Sequence, residues 1–335
     1  MRELIEQLCS PECAGRRPGT KGGLAARAFV VQALREAGLD PYEQRVDGCR
    51  GANVLAKIGG DVDRYVLVGA HYDHLGTVRG DTYWGADDNA AAVAVLVEVA
   101  RNIANERTGR GVIIAAFDGE EPPHFLTGGM GSREFVRTNR DPIDFMVCMD
   151  LVGHRFGPEL VPDEVGASLF ALGAERSLDT YELVSSLKRA EPDVIVRPAD
   201  AEIIPPLSDY EPFWEQRIPF LFLSAGRSRV YHTPEDTPDK LDYRKIAATA
   251  RWLTRFVRAS RTRSATRFVD ASLDLGTVLE LREVIGALAL LSPDAAAALT
   301  YIDELRGACD RRGNLPVARR RELGSLIAGL EARLQ

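Results

Sequence analysis

The sequence predicts an α/β fold with a mainly parallel central sheet and helices on both faces. Three observations carry that expectation. Short apolar runs alternate with amphipathic stretches from residue 50 to residue 260. The run Gly111-Val112-Ile113-Ile114-Ala115-Ala116-Phe117 is continuous and apolar, as a strand buried on both faces should be. The chain has 335 residues and is 45% hydrophobic, enough for one large core with an accessory unit, or for two domains.

The elements follow in order. Residues 24–37 read as an amphipathic helix with Ala25, Phe29, Val30, Leu34 and Ala37 near one face, and Gly38 stops it. Residues 53–58 and 65–70 are apolar, β-branched strands joined through Gly59-Gly60-Asp61. Residues 88–105 are rich in Ala, Val and Leu and read as one helix. Strands are expected over 111–117, 145–149, 169–172 and 219–223. Helices are expected over 132–138, 178–188 and 239–258, the last with Ile246, Ala250, Leu253 and Val257 at helical spacing. There is no internal repeat.

The composition changes after Arg258. Residues 260–264 are polar and basic and read as a linker or loop. Three helical stretches follow, over 275–291, 293–311 and 317–334. Ser292-Pro293 marks the start of the second, with Ser292 as cap and Pro293 in the first turn. The expected organisation is a catalytic domain over residues 1–262 and a C-terminal helical extension over 263–335. Leu279, Val284, Leu288 and Leu291 need a partner surface. Packing on the catalytic domain is the first expectation, and a homodimer contact through the same helices is the alternative.

The totals exclude several classes. The formal net charge is −7 and the pI about 5.4, so no nucleic-acid partner is expected. Basic residues at 251–267 and 311–321 read as solvated helix faces. No stretch is long and apolar enough to span a bilayer, and Met1-Arg2-Glu3-Leu4-Ile5-Glu6-Gln7 lacks the apolar run of a signal peptide. A cytoplasmic protein without membrane contact is expected. The five cysteines (Cys9, Cys13, Cys49, Cys148, Cys309) form no metal-binding pair and read as reduced thiols.

Five short segments carry acids and histidines where strands end or helices begin. In Gly69-Ala70-His71-Tyr72-Asp73-His74, His71 and Asp73 are two apart at a strand end and leave the same face. A metal-binding histidine commonly donates its other ring N–H to a carboxylate, and Asp73 is placed for that; self-satisfied hydrogen bonding is the alternative. His74 reads as a rim residue rather than a ligand. In Gly85-Ala86-Asp87-Asp88-Asn89-Ala90, one polar residue would serve as N-cap. A second acid exceeds what a cap requires, so Asp87, with two oxygens, could bridge two cations. Asp118-Gly119-Glu120-Glu121 follows the buried strand. Adjacent carboxylates there repel unless cations neutralise them, and one can ligate while its neighbour stays free as a base. Asp150 ends the strand at 145–149. His232 lies in Tyr231-His232-Thr233-Pro234, between the last strand and a long helix. Open α/β folds bind ligands outside the carboxyl ends of their strands.

Together these segments, with the opening Cys13-Ala14-Gly15-Arg16-Arg17-Pro18-Gly19-Thr20, resemble the co-catalytic di-zinc aminopeptidase family. That family includes bacterial leucyl-type aminopeptidases, glutamate carboxypeptidases and glutaminyl cyclases. The resemblance covers most of residues 11–258 and implies a zinc exopeptidase-like fold. It implies that His71 and Asp150 hold one zinc, that Glu121 and His232 hold the other, and that Asp87 bridges them across a cis Asp87–Asp88 peptide. It implies Glu120 as general base and Asp73 as the partner of His71. Such enzymes remove one residue from a peptide end. Two cations lower the pKa of a shared water and clamp the oxyanion, while Glu120 moves the proton.

The expected function is therefore a zinc-dependent exopeptidase, foremost an aminopeptidase acting on a peptide or aminoacyl substrate. Two Zn²⁺ per chain are expected, with Co²⁺ or Mn²⁺ as substitutes, because imidazole mixes with carboxylate in the ligand set. The alternatives are a glutaminyl cyclase-like acyltransferase with one zinc, a carboxypeptidase, or a non-catalytic binding module. A carboxypeptidase would need a cation for the substrate carboxylate, with Arg155, Arg227 and Arg229 as candidates by position. Two departures stand out. Nine residues, 122–130, separate Glu121 from Gly131-Ser132, and Ser208-Asp209-Tyr210 stands where relatives often have Ser-Asp-His. Tyr210 either donates to the oxyanion or only packs.

Overall fold

A computed structural model describes residues 1–335 except Glu159, Ala265, Leu290 and Gln335. Its strands are β1 (Tyr42–Val46), β2 (Gly51–Ile58), β3 (Val62–His71), β4 (Gly76–Val78), β5 (Asp81–Tyr83), β6 (Arg110–Phe117), β7 (Ile143–Met149), β8 (Ser168–Leu172), β9 (Ile195–Ala199) and β10 (Phe220–Ser224). Eight form one sheet in the order β1-β2-β6-β3-β7-β10-β8-β9, and β4 and β5 form a small hairpin. The four central strands β6, β3, β7 and β10 run parallel. β1, β2 and β8 pair antiparallel, so the sheet is mixed toward its edges.

The alternation of side chains along the central strands explains why both faces are covered. On β6, Val112, Ile114 and Ala116 enter one core while Ile113, Ala115 and Phe117 enter the other. All are fully buried, each large apolar side chain contributing about 1.5–3 kcal/mol. Helices Lys21–Glu36, Ala91–Ile103 and Tyr243–Thr262 cover the first face through Val30, Val95 and Trp252. Helices Gly131–Thr138 and Glu211–Glu215 cover the second through Phe135 and Phe213.

The helix expected from Asp88 begins only at Ala91. Asp88 (φ −109, ψ 83) and Asn89 (φ −139, ψ 32) leave helical geometry, and Ala90 holds the cap position, so neither Asp88 nor Asn89 caps the helix. Of residues 260–264, the first three belong to a helix, and 263–264 bend away from its end. Helix Tyr243–Thr262 runs into them, and buried Arg261 donates to the carbonyls of Arg110 (2.7 Å) and Gly59 (3.2 Å). The basic run ahead of it is also engaged: Arg251 and Arg255 both clasp the buried Glu191, at 2.6 and 2.9 Å.

The C-terminal helices are Asp274–Ala289, Pro293–Ala308 and Val317–Leu334. Leu290, within the first predicted stretch, lies outside the described residues. Ser292 holds the cap position of the second helix without a side-chain cap bond. The three share a small core of Val278, Leu281, Ile285, Ile302, Leu305 and Leu323. They also dock on the sheet-bearing part. Val284 and Leu288 bury against Phe156, Val161 and Val165. Arg320 clamps Asp200, Glu202 and Asp274 at 2.7–2.8 Å. Leu279 and Leu291 remain exposed. Among the described residues no helix is long and apolar enough to cross a membrane, and all five cysteines are free thiols.

Candidate active site

The site forms at the carboxyl ends of adjacent parallel strands. His71 is the last residue of β3 and pairs in register with Phe117, the last of β6; Asp150 follows Met149, the last of β7. Glu120 and Glu121 extend from β6 by a turn at Gly119 (φ +75), where an added Cβ would stand 2.5 Å from the Gly129 carbonyl. Gly85 (φ +60) opens the Asp88 turn, and a Cβ there would lie 2.2 Å from the Asp88 carbonyl.

Four carboxylates and three imidazoles converge there. His71 Nε2 lies 3.4 Å from Asp88 Oδ1, 3.4 Å from Asp150 Oδ1 and 3.8 Å from Glu120 Oε2. His232 Nε2 lies 3.1 Å from Asp88 Oδ2 and 3.2 Å from Glu121 Oε2. His74 Nδ1 lies 2.7 Å from Glu121 Oε1 and 3.9 Å from Asp88 Oδ2. Asp88 thus faces His71 with Oδ1 and both His232 and His74 with Oδ2.

Three expectations require correction. The central carboxylate is that of Asp88, not Asp87, and the cis peptide is Asp88–Asn89 rather than Asp87–Asp88. Asp87 points away: its Oδ1 accepts the Gly153 N–H at 2.7 Å and its Oδ2 faces His154 Nδ1 at 2.6 Å. Asp87 thus faces the Gly153–His154 loop, and the groups whose ligand atoms converge include Asp88 and not Asp87. The adjacent acids gave the sequence no way to tell them apart, since backbone geometry alone decides which points inward. His74 is likewise no rim residue. It is fully buried and edge-on to His232, with ring centroids 5.8 Å apart.

Asp73 acts on two neighbours. Its Oδ1 is 3.6 Å from His71 Nδ1, beyond a hydrogen bond, while its two oxygens accept the N–H groups of Glu120 and Glu121, each at 3.1 Å. Arg16, in the opening motif, is fully buried behind the Asp88 turn. It donates to the carbonyls of Tyr72 (2.7 Å), Gly85 (2.5 Å) and Asp88 (3.1 Å), and also to that of Trp84. Tyr210 packs: its ring stacks on Phe220 and Phe222, and its hydroxyl accepts the Leu207 N–H. The sequence reading missed Tyr231, whose ring stacks on His232 at 3.9 Å. Its place beside His232 was the available signal.

The electrostatics record how tightly these groups are held. Burial opposes ionisation of Asp88, yet His232 and His71 hold its carboxyl well below the usual range. Burial, then the charges of Asp150, Glu121 and Asp209, push Glu120 well above its usual range despite His71. Burial lowers His232, but the carboxylates of Asp88 and Glu121 lift it to about 10. Burial and the same acids raise the Tyr231 hydroxyl.

The residues fit divalent cations. His71, Glu120 and Asp150 bring ligand atoms within 4.8 Å of one another, as do His74, Asp88 and Glu121. His232 Nε2 is buried and close to two carboxylates, yet meets neither in hydrogen-bond geometry. Mixed imidazole and carboxylate donors suit zinc.

Fold and site together define a metallopeptidase, a hydrolase. The family model described as Peptidase family M28 matches residues 53–257, more than half of the chain, and the protein belongs to that family. The Escherichia coli (strain K12) protein "Uncharacterized protein YfbL" is 29% identical over 216 residues, covering 58% of this chain and 67% of its own. The crystal structure of the Legionella pneumophila LapA aminopeptidase superposes with a TM-score of 0.64 at 16% identity, covering 78% of this chain and 72% of that one. Porphyromonas gingivalis glutaminyl cyclase superposes with a TM-score of 0.59 at 18% identity, covering 77% and 96%. At such identities the two structures establish the fold.

Proposed function

We propose that the chain is a two-zinc aminopeptidase. The observation that carries this reading is Asp88, which sits between His71 with Asp150 on one side and His232 with Glu121 on the other, with Glu120 alongside. His71, Asp88 and Asp150 would hold one ion, and Asp88, Glu121 and His232 the second, with His74 fixing Glu121. When bound, the ions supply Lewis acidity and a nucleophilic water at neutral pH. Glu120 takes the water's proton and returns it to the leaving amine. Tyr231, stacked on His232 among the acids, offers its hydroxyl as donor to the developing oxyanion. Asp73 aims the peptide that carries both glutamates.

An N-terminal amine suits this nest better than a carboxylate. The nest is built of buried acids, which would draw a cationic end of the substrate inward. Of the arginines considered for a carboxypeptidase, Arg155 is committed to the Val161 carbonyl (2.8 Å) and to Asp163 (3.0 Å). Aminoacyl-nitroanilides and N-blocked peptides, assayed side by side with added zinc, test the assignment. Turnover of the free-amine substrates alone supports it, and turnover of N-blocked peptides with a free carboxyl end overturns it. A glutaminyl cyclase is the second reading, favoured by the likeness of fold, and would show itself as cyclisation of N-terminal glutamine peptides.

A further inference from the structure

Two buried acids outside the proposed ligand set tie the ligand-bearing loops to one another. Asp236, fully buried and four positions beyond His232, accepts the Asp87 N–H on Oδ1 at 2.9 Å and the Asp88 N–H on Oδ2 at 3.1 Å. Its backbone carbonyl takes a third donor, the Ala86 N–H, at 3.2 Å. Asp87 repeats the arrangement one loop further on, with Gly153 N–H on one oxygen and His154 Nδ1 on the other. His154 is held from behind by buried Lys245, whose Nζ donates to its carbonyl at 2.8 Å. The His232 loop therefore grips the Asp88 loop, and the Asp88 loop grips the loop that carries Asp150.

We propose that Asp236 and Asp87 are positioning residues that couple the two metal subsites through the backbone. This rests on the two-zinc reading above and deepens it. A carboxylate that spans two consecutive N–H groups fixes the peptide plane between them. At Asp236 that plane belongs to Asp87–Asp88, so the direction of the Asp88 side chain follows from where the His232 loop sits. Asp236 is buried beside the acids Asp87 and Asp88, and neither Asp236 nor Asp87 gains an arginine partner among the described residues. An uncharged acceptor would avoid repulsion from those acids, but an amide presents one oxygen and one NH₂, and the NH₂ would oppose an N–H donor. At Asp236, where both donors are backbone N–H groups, a carboxylate serves geometry that an amide cannot. Disturbing Asp236 misplaces Asp88, which belongs to both subsites; disturbing Asp87 loosens the Asp150 loop, which belongs to one.

The test is a zinc titration of the full chain against a competing chelator, resolving both binding steps, with melting of the metal-free protein recorded alongside. Two zinc ions on the wild-type chain hold the underlying reading; none overturns that reading whatever the variants do. Asp236→Asn is expected to weaken both steps, each by about 10–100-fold, as partners of metal ligands commonly do. Asp87→Asn is expected to weaken one step by a similar factor and the other less than threefold. Saturating zinc should then restore most of kcat in both variants. If wild type binds two ions and both variants match its constants, the coupling is refuted while the function stands. Should Asp236→Asn fail to fold, Asp87→Asn decides: a selective loss at one step supports the coupling, and equal or absent losses refute it.

Discussion

Asp88 Oδ2 stands 3.1 Å from His232 Nε2, while Oδ1 of the same carboxylate stands 3.4 Å from His71 Nε2. One side chain thereby joins strand β3 to the loop after β10. Asp88→Asn keeps the shape but removes the charge that two cations would share. Zinc affinity should fall by about 100-fold or more, and both ions should be lost together. Equilibrium dialysis with elemental analysis checks this; a variant that retains either ion at wild-type strength would count against a bridging role.

Glu120 separates chemistry from metal binding. Glu120→Gln keeps size and hydrogen bonding but cannot take a proton. Hydrolysis of an aminoacyl-nitroanilide should drop about 10²–10⁴-fold while zinc content stays at the wild-type level. Steady-state kinetics on metal-analysed protein decides, and an undiminished rate would remove Glu120 from the mechanism.

Proton release should accompany metal uptake. Asp88 and Glu121 outweigh burial and push the His232 imidazole up to about 10, against 6.5 for an ordinary histidine. A raised histidine stabilises the folded state fully below pH 6.5, and that contribution is lost as pH climbs through 10. A cation must displace the same proton, so zinc affinity should rise with pH across that window. Calorimetric titrations in buffers of different ionisation enthalpy measure the protons released, and His232→Gln should release fewer.

Glu175 offers a test away from the metal site. Burial and Asp200 raise its carboxyl from 4.5 to about 7, and its Oε2 has no partner. An acid raised in the folded state is neutral there when it would be charged in the unfolded chain. Its stabilising contribution is therefore full below pH 4.5 and lost as pH rises to 7. Glu175→Gln should match wild type near pH 5 and be more stable near pH 8, by on the order of 2 kcal/mol. Denaturant melts at the two pH values measure the difference; a gain that is the same at both would mean the carboxyl is not held neutral.

The central strands were legible because parallel strands covered on both faces must be continuously apolar, as Gly111–Phe117 is. The edge strands β1 and β9 were not. Their sequences, Tyr-Glu-Gln-Arg-Val and Ile-Val-Arg-Pro-Ala, are broken by charges and a proline that an edge tolerates. Site segments were readable from acids and histidines at strand ends. The choice between Asp87 and Asp88 was not, because it depends on Asp236, nearly 150 residues further along the chain. His74 looked superfluous in sequence for a similar reason: only the fold reveals that Glu121 lies against its ring. The basic run near Arg255 reads as a solvated helix face, and Arg251, Arg255 and Arg258 do stay about half exposed; that Arg251 and Arg255 also clasp Glu191 was not legible, because Glu191 lies some 60 residues earlier in the chain.

Anomalous diffraction from crystals grown with zinc, recorded on both sides of the zinc edge, tests the central claim most directly. Two peaks should appear, with one oxygen of Asp88 ligating each, His71 and Asp150 on the first, and Glu121 and His232 on the second. A single peak, or two peaks with Asp88 turned away from either, would contradict the account.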